Sequence, residues 1–188
     1  MKIIEVKENK KQYLDLLLLA DEQENMIDRY LDKGKMYVLD DNGIKCECIV
    51  TDEGSDVLEI KNIATVPDYQ GKGYAKSLID FIVEKYREQY AILQVGTGDS
   101  PLTIPFYEKC GFVRSHIIPN FFTDNYDHPI YEDGVQCGYG VSAKAVIKKF
   151  SVIRSVDVLI FLRYTPSKRS VLLWVEKFMT SSMTWQKY

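Results

Sequence analysis

Two glycines bracket a lysine at Gly71-Lys72-Gly73, and this stretch has the residue types of an anion-binding turn. A strand-like run ends just before it, and apolar residues at helical spacing follow from Ala75 to Tyr86. A helix that begins at the glycines directs its first, unpaired backbone N–H groups and the positive end of its dipole toward the loop. Glycine lets a phosphate oxygen approach these groups, and Lys72 adds a formal positive charge. The spacing therefore predicts an anion site, although a flexible turn with a solvated lysine would carry the same residues.

Two other kinds of chemistry find little support in the sequence. A nucleotide-binding P-loop and a dinucleotide-binding loop are disfavoured, since neither GxxxxGK[ST] nor GxGxxG occurs. A zinc site is disfavoured as well, because His116 and His128 are the only histidines and neither forms a ligand pair with a cysteine. The cysteines, which lack CxxC spacing and are expected to be reduced thiols, are Cys46, Cys48, Cys110 and Cys137.

Hydrophobic periodicity predicts the elements that position the loop. The chain starts with a strand pattern, continues with helical segments at 10–20 and 21–33, and then forms a hairpin around Asp41-Asn42-Gly43. A strand at 57–66 precedes the glycine loop, and the helix after the loop extends to about Glu88. The remaining predicted elements are a central strand at 91–96, a short helix at 105–112 and a second hairpin at 130–137. This order predicts a mixed sheet with helices on both faces.

The charge of the chain is divided unevenly along its length. Residues 138–188 contain nine basic and two acidic residues, a balance of +7, whereas residues 1–137 contain 15 basic and 25 acidic residues, a balance of −10. Such a shift predicts a domain boundary near Cys137. The sequence shows neither a signal-peptide pattern nor an apolar run long enough to span a bilayer, so we expect a cytoplasmic protein without a membrane partner.

The basic segment 138–188 leaves two interpretations open. It is either an extra structural element used for oligomerisation, for instance in a homodimer, or the product of a changed reading frame near residue 138. Its apolar stretches VDVLIFLRY and RSVLLWVEKFM would favour association if they were exposed. A nucleic-acid-binding arm is disfavoured, because the basic residues are mixed with apolar ones rather than clustered.

The wider pattern around the glycine loop is more specific than the loop itself. Residues 70–75, QGKGYA, fit Q/R-x-x-G-x-G/A, and residues 105–112, PFYEKCGF, follow after one intervening strand. In these two motifs and their order, the chain resembles the GNAT superfamily of N-acetyltransferases over most of residues 1–137.

The resemblance implies a fold and a donor site. The fold is α+β, with a mixed, mostly antiparallel sheet whose middle strands splay apart and with helices on both faces. The implied cosubstrate is acetyl-CoA, and no metal is implied. The pantetheine arm would pair with the strand end Ile63-Ala64-Thr65. The diphosphate would lie on the loop residues, namely Gln70, Gly71, Lys72, Gly73, Tyr74 and Ala75.

The resemblance also implies catalytic roles. Acetyl transfer to an amine requires a neutral amine, a stabilised oxyanion and a proton for the departing thiolate. Tyr107 occupies the position of the general acid, and an unperturbed tyrosine is protonated at neutral pH. Glu59 lies where some relatives place a general base, acting directly or through a water. The structural alternatives are a core aromatic for Tyr107 and, for Glu59, an exposed strand glutamate beside Lys61 on the same face of the strand.

Other features of the site are less defined by the motifs. Many relatives have an asparagine before the second helix, where this chain has Asp99 and Ser100. Pro105 suits only a first helical turn, so the helix should begin near Thr103 as its N-cap. A nucleophilic role for Cys110 is an alternative that ordinary packing explains better.

The acceptor side is described only by composition. An acidic segment, Asp21, Glu22, Glu24 and Asp28, would suit a cationic amine or would simply be a solvated helix face. Aromatic residues that would line a pocket or belong to the core are Phe121, Phe122, Tyr126 and Tyr131.

The function predicted is an acetyl-CoA-dependent N-acetyltransferase acting on a primary amine of a small molecule or protein. The alternative is a catalytically silent CoA-binding module that acts through a partner.

Overall fold

The computed structural model describes residues 1–132 and 134–147. The chain divides into two compact units, Met1–Lys148 and Lys149–Tyr188. The second unit lies outside the described residues, as do both apolar stretches of the C-terminal segment, so its predicted role in oligomerisation stays a prediction. Within the described part of the chain, no helix is long and apolar enough to cross a membrane.

A seven-stranded sheet forms the centre of the first unit. Its strands are β1 (Lys2–Val6), β2 (Lys35–Asp40), β3 (Ile44–Asp52), β4 (Val57–Thr65), β5 (Ile92–Gly98), β6 (Val113–Ile118) and β9 (Gly140–Val146). They lie in the order β1-β2-β3-β4-β5-β9-β6. All neighbouring strands are antiparallel except β4 and β5, which are parallel. The fold is therefore α+β with a mixed, mostly antiparallel sheet, as predicted. Two further strands, β7 (Tyr131–Glu132) and β8 (Val135–Gln136), form a separate hairpin.

Helices cover both faces of this sheet, and two separate apolar clusters hold them there. The helices are α1 (Leu14–Leu17), α2 (Glu24–Leu31), α3 (Tyr74–Tyr86), α4 (Thr103–Lys109) and α5 (Phe121–Asn125). On one face, α3 packs Leu78, Ile79 and Ile82 into a cluster that also contains Tyr107. On the other face, α1 and α2 pack Leu17 and Ile27 against a second cluster. Burial of these stripes follows from the helical spacing of apolar residues.

The two middle strands separate halfway along their length. Pairing of β4 with β5 runs from Val57–Ile92 to Ile60–Val95 and stops there. At the same point the register of β3 against β4 shifts, because Ile49 pairs with Asn62 while Val50 pairs with Ile60. Lys61 is thus the extra residue of a β-bulge, and bulges bend the strand that contains them. The bulge accounts for the splay of the middle strands that the family resemblance implied.

Three local predictions need correction. The helix expected over 10–20 is a 3₁₀ turn at Lys10–Tyr13 followed by the short α1. The next helix begins at Glu24 rather than Asp21, because Gln23 is extended and the Asp21 side chain is bound elsewhere. Leu102, and not Thr103, is the N-cap of α4, and its N–H donates to Ser100 Oγ at 3.1 Å.

Strand β9 continues the sheet beyond the predicted boundary at Cys137. It pairs with β5 along Gly140–Val146 and with β6 on its other side. The domain division at 137 stays a prediction about the chain as a whole, while these seven residues of the basic segment belong to the sheet.

Candidate active site

A cavity of about 650 Å³ opens where β4 and β5 part, and we call it the splay cavity. Its wall combines residues of both strands with side chains from the helices on either face of the sheet. Among the predicted site residues, those on its wall are Glu59, Ile63, Ala64, Thr65, Gln70 and Tyr107. A cavity of this size is typical of a small-molecule site.

The glycine loop has the conformation that its sequence predicts. Gly71 and Gly73 have φ angles of 72° and 86°, a region that favours glycine, and Gly73 is the N-cap of α3. A Cβ atom at either position would meet nothing within 4 Å, so the space above the loop is open. The first N–H groups of α3, from Tyr74 onward, therefore begin at an open, glycine-lined turn.

Two side chains of the loop form hydrogen bonds with neighbouring elements and so stabilise its shape. Gln70 Nε2 donates to the carbonyl of Thr65 at 3.3 Å and so ties the loop to the end of β4. Tyr74 Oη donates to Asp41 Oδ2 at 2.8 Å, which anchors the start of α3 to the β2–β3 turn. The proton of the Tyr74 hydroxyl is therefore engaged by Asp41, whereas its backbone N–H lies in the first turn of α3, where it has no partner within the helix.

Two lysine ammonium groups lie beside the glycine loop, against the ring of Tyr69. Lys45 Nζ lies 3.9 Å from the ring centroid of Tyr69, and Lys72 Nζ lies 4.8 Å from it. Lys72 also donates to the carbonyl of Asp68 at 2.9 Å. Both ammonium groups thus make cation–π contacts with the same ring. Lys45 was not predicted, since on sequence it is an ordinary strand residue.

The end of β4 presents backbone groups to the splay cavity. From Asn62 to Thr65 the strand is paired with β3 on one side, while its side toward β5 has no ladder partner among the described strands. Ile63, Ala64 and Thr65 therefore have the free strand edge that an extended ligand needs for backbone hydrogen bonds.

The position of Tyr107 is compatible with both interpretations of its role, a core aromatic and a general acid. It extends from α4, is 7% exposed, and its ring packs edge-on against Phe106 and Phe112. It also lies on the wall of the splay cavity. A tyrosine whose body is packed into the core presents its hydroxyl in a fixed direction, which a positioned acid requires.

Glu59 is held by two neighbours. Its Oε1 accepts a hydrogen bond from Lys61 Nζ at 2.7 Å, and its Oε2 accepts one from the side-chain amide of Gln94. Lys61 also contacts Glu53 Oε1 at 3.1 Å. Glu59 and Lys61 thus lie on the same face of the strand, as predicted, but the carboxylate is half-buried rather than exposed and lies on the cavity wall. The geometry allows a base role and an ion-pair role together.

Cys110 has poor geometry for a nucleophile. It follows the last residue of α4 and is not among the described lining residues of the splay cavity. Burial raises the pKa of its thiol, which disfavours the thiolate. No cluster of His, Cys, Asp and Glu suited to a metal ion occurs within residues 1–132 and 134–147, and the expected absence of a metal stays a prediction.

The acceptor side contains a polar network that composition could not resolve. Asp21 and Glu22 lie on the cavity wall, whereas Glu24 and Asp28 pair with Lys11 at 2.8 Å each on the exposed side of α2. The four predicted aromatic residues, Phe121, Phe122, Tyr126 and Tyr131, all line the cavity.

Two members of this network, Tyr30 and Asn62, were not predicted. In the sequence, Tyr30 belongs to the apolar stripe of α2. Only the fold brings its hydroxyl to its hydrogen-bond partners, Asp21 and Asn62. Asn62 had a visible signal, since it is a polar residue in a strand whose neighbours Ile60 and Ala64 are buried apolar residues.

Comparison with known proteins identifies the family to which this fold and its splay cavity belong. A sequence model of the acetyltransferase (GNAT) domain matches residues 32–114. The chain is 34% identical over 133 residues to the uncharacterized N-acetyltransferase YvbK of Bacillus subtilis, a match that covers 69% of this chain and 86% of that protein.

Two solved structures extend the comparison. A GNAT family acetyltransferase from Elizabethkingia anophelis with acetyl-CoA bound is 32% identical, with a TM-score of 0.73 over 77% of this chain and 97% of that one. A Bacillus subtilis acetyltransferase in complex with CoA is 31% identical, with a TM-score of 0.71 over 77% and 97% of the two chains. The chain belongs to the GNAT superfamily, and its enzyme class is N-acetyltransferase.

Proposed function

We propose that this protein transfers an acetyl group from acetyl-CoA directly to a primary amine of a small molecule or a protein. The observation that carries the proposal is the splay cavity, which is lined by side chains from both faces of the sheet at the point where β4 and β5 part. Two relatives of similar fold hold acetyl-CoA or CoA in their solved structures, which supports the same cosubstrate here.

Acetyl-CoA would be bound mainly by backbone groups. Its diphosphate would lie on the N–H groups from Gly71 to Ala75, with Gln70 framing the loop and Lys72 adding charge. Its pantetheine arm would extend along Ile63, Ala64 and Thr65, where β4 has lost its β5 partner.

The transfer itself would use two side chains. Glu59 would accept the proton of the ammonium, directly or through a water, so that the nitrogen lone pair attacks the thioester carbonyl. A backbone N–H near Ile63 would stabilise the oxyanion. As the C–S bond breaks, Tyr107 would donate its proton to the thiolate. The attacking nitrogen would release its second proton to solvent, which would reprotonate Tyr107, and CoA and the neutral amide would leave.

A thiol-release assay over a panel of primary amines tests this function. We expect release that depends on the amine, and a thermal shift on adding acetyl-CoA. Tyr107→Phe should lower kcat by about 10²-fold with little change in the affinity for acetyl-CoA, because only the proton donor is removed. Tyr90→Phe, a tyrosine outside the described cavity wall, is the matched control and should retain kcat.

Two results would contradict the proposal in different ways. Stabilisation by acetyl-CoA without turnover of any amine would favour a silent CoA-binding module. Full activity of Tyr107→Phe would remove the acid role while leaving the transferase intact. The cytoplasmic location and a homodimeric state remain predictions.

A further inference from the structure

Asp21 is a buried carboxylate on the wall of the splay cavity, and two tyrosines hold it. It lies between α1 and α2 and is 8% exposed. Tyr30 Oη donates to its Oδ2 at 3.0 Å, and Tyr126 Oη donates to its Oδ1 at 3.0 Å. Because Tyr126 is 105 residues away along the chain, two separate elements fix the direction of one carboxylate.

The charge of Asp21 has no cationic partner at hydrogen-bond distance among the described residues. Arg29 acts on it only as a nearby charge, since its guanidinium is exposed and donates to Asn125 Oδ1 at 3.1 Å. Burial raises the pKa of Asp21, which the two hydroxyls, the backbone of Gln23 and Arg29 oppose. A carboxylate has about four acceptor positions, so the tyrosines and the backbone leave capacity for a further donor.

The polar chain continues from Asp21 to the splayed strand. Asn62 Nδ2 donates to Tyr30 Oη at 2.9 Å and to the carbonyl of Leu17 at 3.1 Å. Since the Tyr30 hydroxyl accepts from Asn62, its own proton is directed to Asp21. Asn62 follows the bulge at Lys61 directly, so the position of Asp21 is linked to the strand edge where the reaction would occur.

Aromatic rings surround the same end of the cavity. Phe121, Phe122 and Tyr126 contact one another with ring centroids 5.2 to 6.4 Å apart, and all three lie on the cavity wall. The faces of such rings attract cations, and their bodies bury alkyl chains. A buried anion among aromatic rings is the arrangement that suits an organic ammonium group.

We propose that Asp21 binds a second cationic nitrogen of the acceptor, distinct from the nitrogen that is acetylated, so that the acceptor is an aliphatic diamine or a larger polyamine. Tyr107 packs in the cluster on the α3 face, whereas Tyr30 packs in the cluster on the opposite face. A charge held by Asp21 and Tyr30 is therefore separated from the acetyl sulfur beside Tyr107, and an alkyl spacer would connect the two. This inference rests on the proposed function.

The test compares 1,5-diaminopentane with 1-aminopentane, which differ by one terminal ammonium. We expect wild-type kcat/KM to favour the diamine by at least about tenfold, mainly through KM. Asp21→Asn, which retains an oxygen for the tyrosines, should reduce this ratio to about one. Glu24→Gln lies three residues away on the exposed side and should retain the tenfold ratio, which excludes a general effect of acidity.

A binding measurement supports the kinetic one. With CoA bound, the diamine should raise the melting temperature of the wild type more than the monoamine does, and Asp21→Asn should abolish that difference. If Asp21→Asn fails to fold, Tyr126→Phe removes one of the two hydroxyl donors and should reduce the kinetic ratio about threefold.

The outcomes separate this inference from the function on which it rests. Equal kcat/KM for both amines in the wild type, or an unchanged ratio in Asp21→Asn, would overturn the role of Asp21 while leaving an active transferase. No thiol release with any amine would overturn the proposed function, and the melting-temperature difference would still decide whether Asp21 binds the diamine.

Discussion

Glu59 and Glu53 both contact Lys61 Nζ, at 2.7 and 3.1 Å, yet only Glu59 is among the residues on the wall of the splay cavity. This difference separates the two interpretations of Glu59. As a general base, Glu59 would accept a proton on its ionised carboxylate. As an ion-pair partner, it would only hold Lys61 in place. Partly buried surface pairs of this kind contribute about 1 kcal/mol or less to stability.

Replacing each glutamate by glutamine distinguishes these roles. Glu59→Gln should lower kcat by about 10²-fold, since the amide cannot accept the ammonium proton. Glu53→Gln removes a charge from the same lysine and should change kcat by less than about twofold. Steady-state kinetics with a single amine is sufficient. Equal losses in both variants would mean that Glu59 acts only by holding Lys61.

At the scale of elements, the donor site depends on a turn and a bulge. Gly73 ends the turn at a φ of 86° and starts α3, and the bulge at Lys61 separates β4 from β5. The turn brings helix N–H groups to an open surface, and the bulge exposes the strand edge. Neither the turn nor the bulge requires a particular side chain on the ligand-facing surface, so acetyl-CoA would be bound mostly by backbone groups.

Substituting alanine for glycine separates strain from ligand binding. Gly73 and Gly54 both have positive φ, 86° and 75°, and an added Cβ would meet nothing within 4 Å at either. Gly73→Ala and Gly54→Ala should each destabilise the fold by about 1 kcal/mol. Only Gly73→Ala should weaken CoA binding, by about tenfold, as calorimetric titration would show. Similar CoA affinities in the two variants would place the diphosphate away from this loop.

At the scale of the whole molecule, the middle of the sheet contains a buried acid. Glu47 lies in β3 opposite Ala64 and is fully buried, and its carboxyl oxygens have no hydrogen-bond partner among the described residues. Burial raises its pKa from about 4.5 to about 8, although the backbone of Ala64 opposes the rise. The folded protein therefore keeps this proton at neutral pH, while the unfolded chain releases it.

This difference in proton binding makes stability depend on pH. Between about pH 4.5 and 8 the folded state binds more protons than the unfolded state, so the free energy of unfolding should decrease as pH rises through this window. Glu47→Gln should remove much of that decrease and stabilise the fold at pH 8.5 by on the order of a few kcal/mol. Urea unfolding at pH 5 and 8.5 measures it, with the exposed Glu88→Gln as control. The same slope in Glu47→Gln and wild type would assign the dependence to other groups.

Much of the donor side could be predicted from sequence because its physics is local. The left-handed turn at Gly71 and Gly73 and the apolar stripe of α3 depend on residues that are close together in the sequence, between Gly71 and Tyr86. The order of strands and helices follows from the same short-range periodicity. One prediction failed by a single residue at a helix end, where Leu102 and not Thr103 is the N-cap of α4. Another failed where a distant contact competed, at Asp21, whose side chain binds Tyr126 instead of starting α2.

The sequence by itself determined the glycine loop, the helix that starts at it and the α+β order, since backbone conformation and amphipathic spacing follow from neighbouring residues. Only the tertiary structure decided the acceptor side. The bulge at Lys61 is a register shift between two strands, and Asp21 meets Tyr126 from 105 residues away. Such contacts depend on which strands and loops pack together, so single residue types could indicate an acidic or aromatic surface but not the carboxylate that two tyrosines hold in the splay cavity.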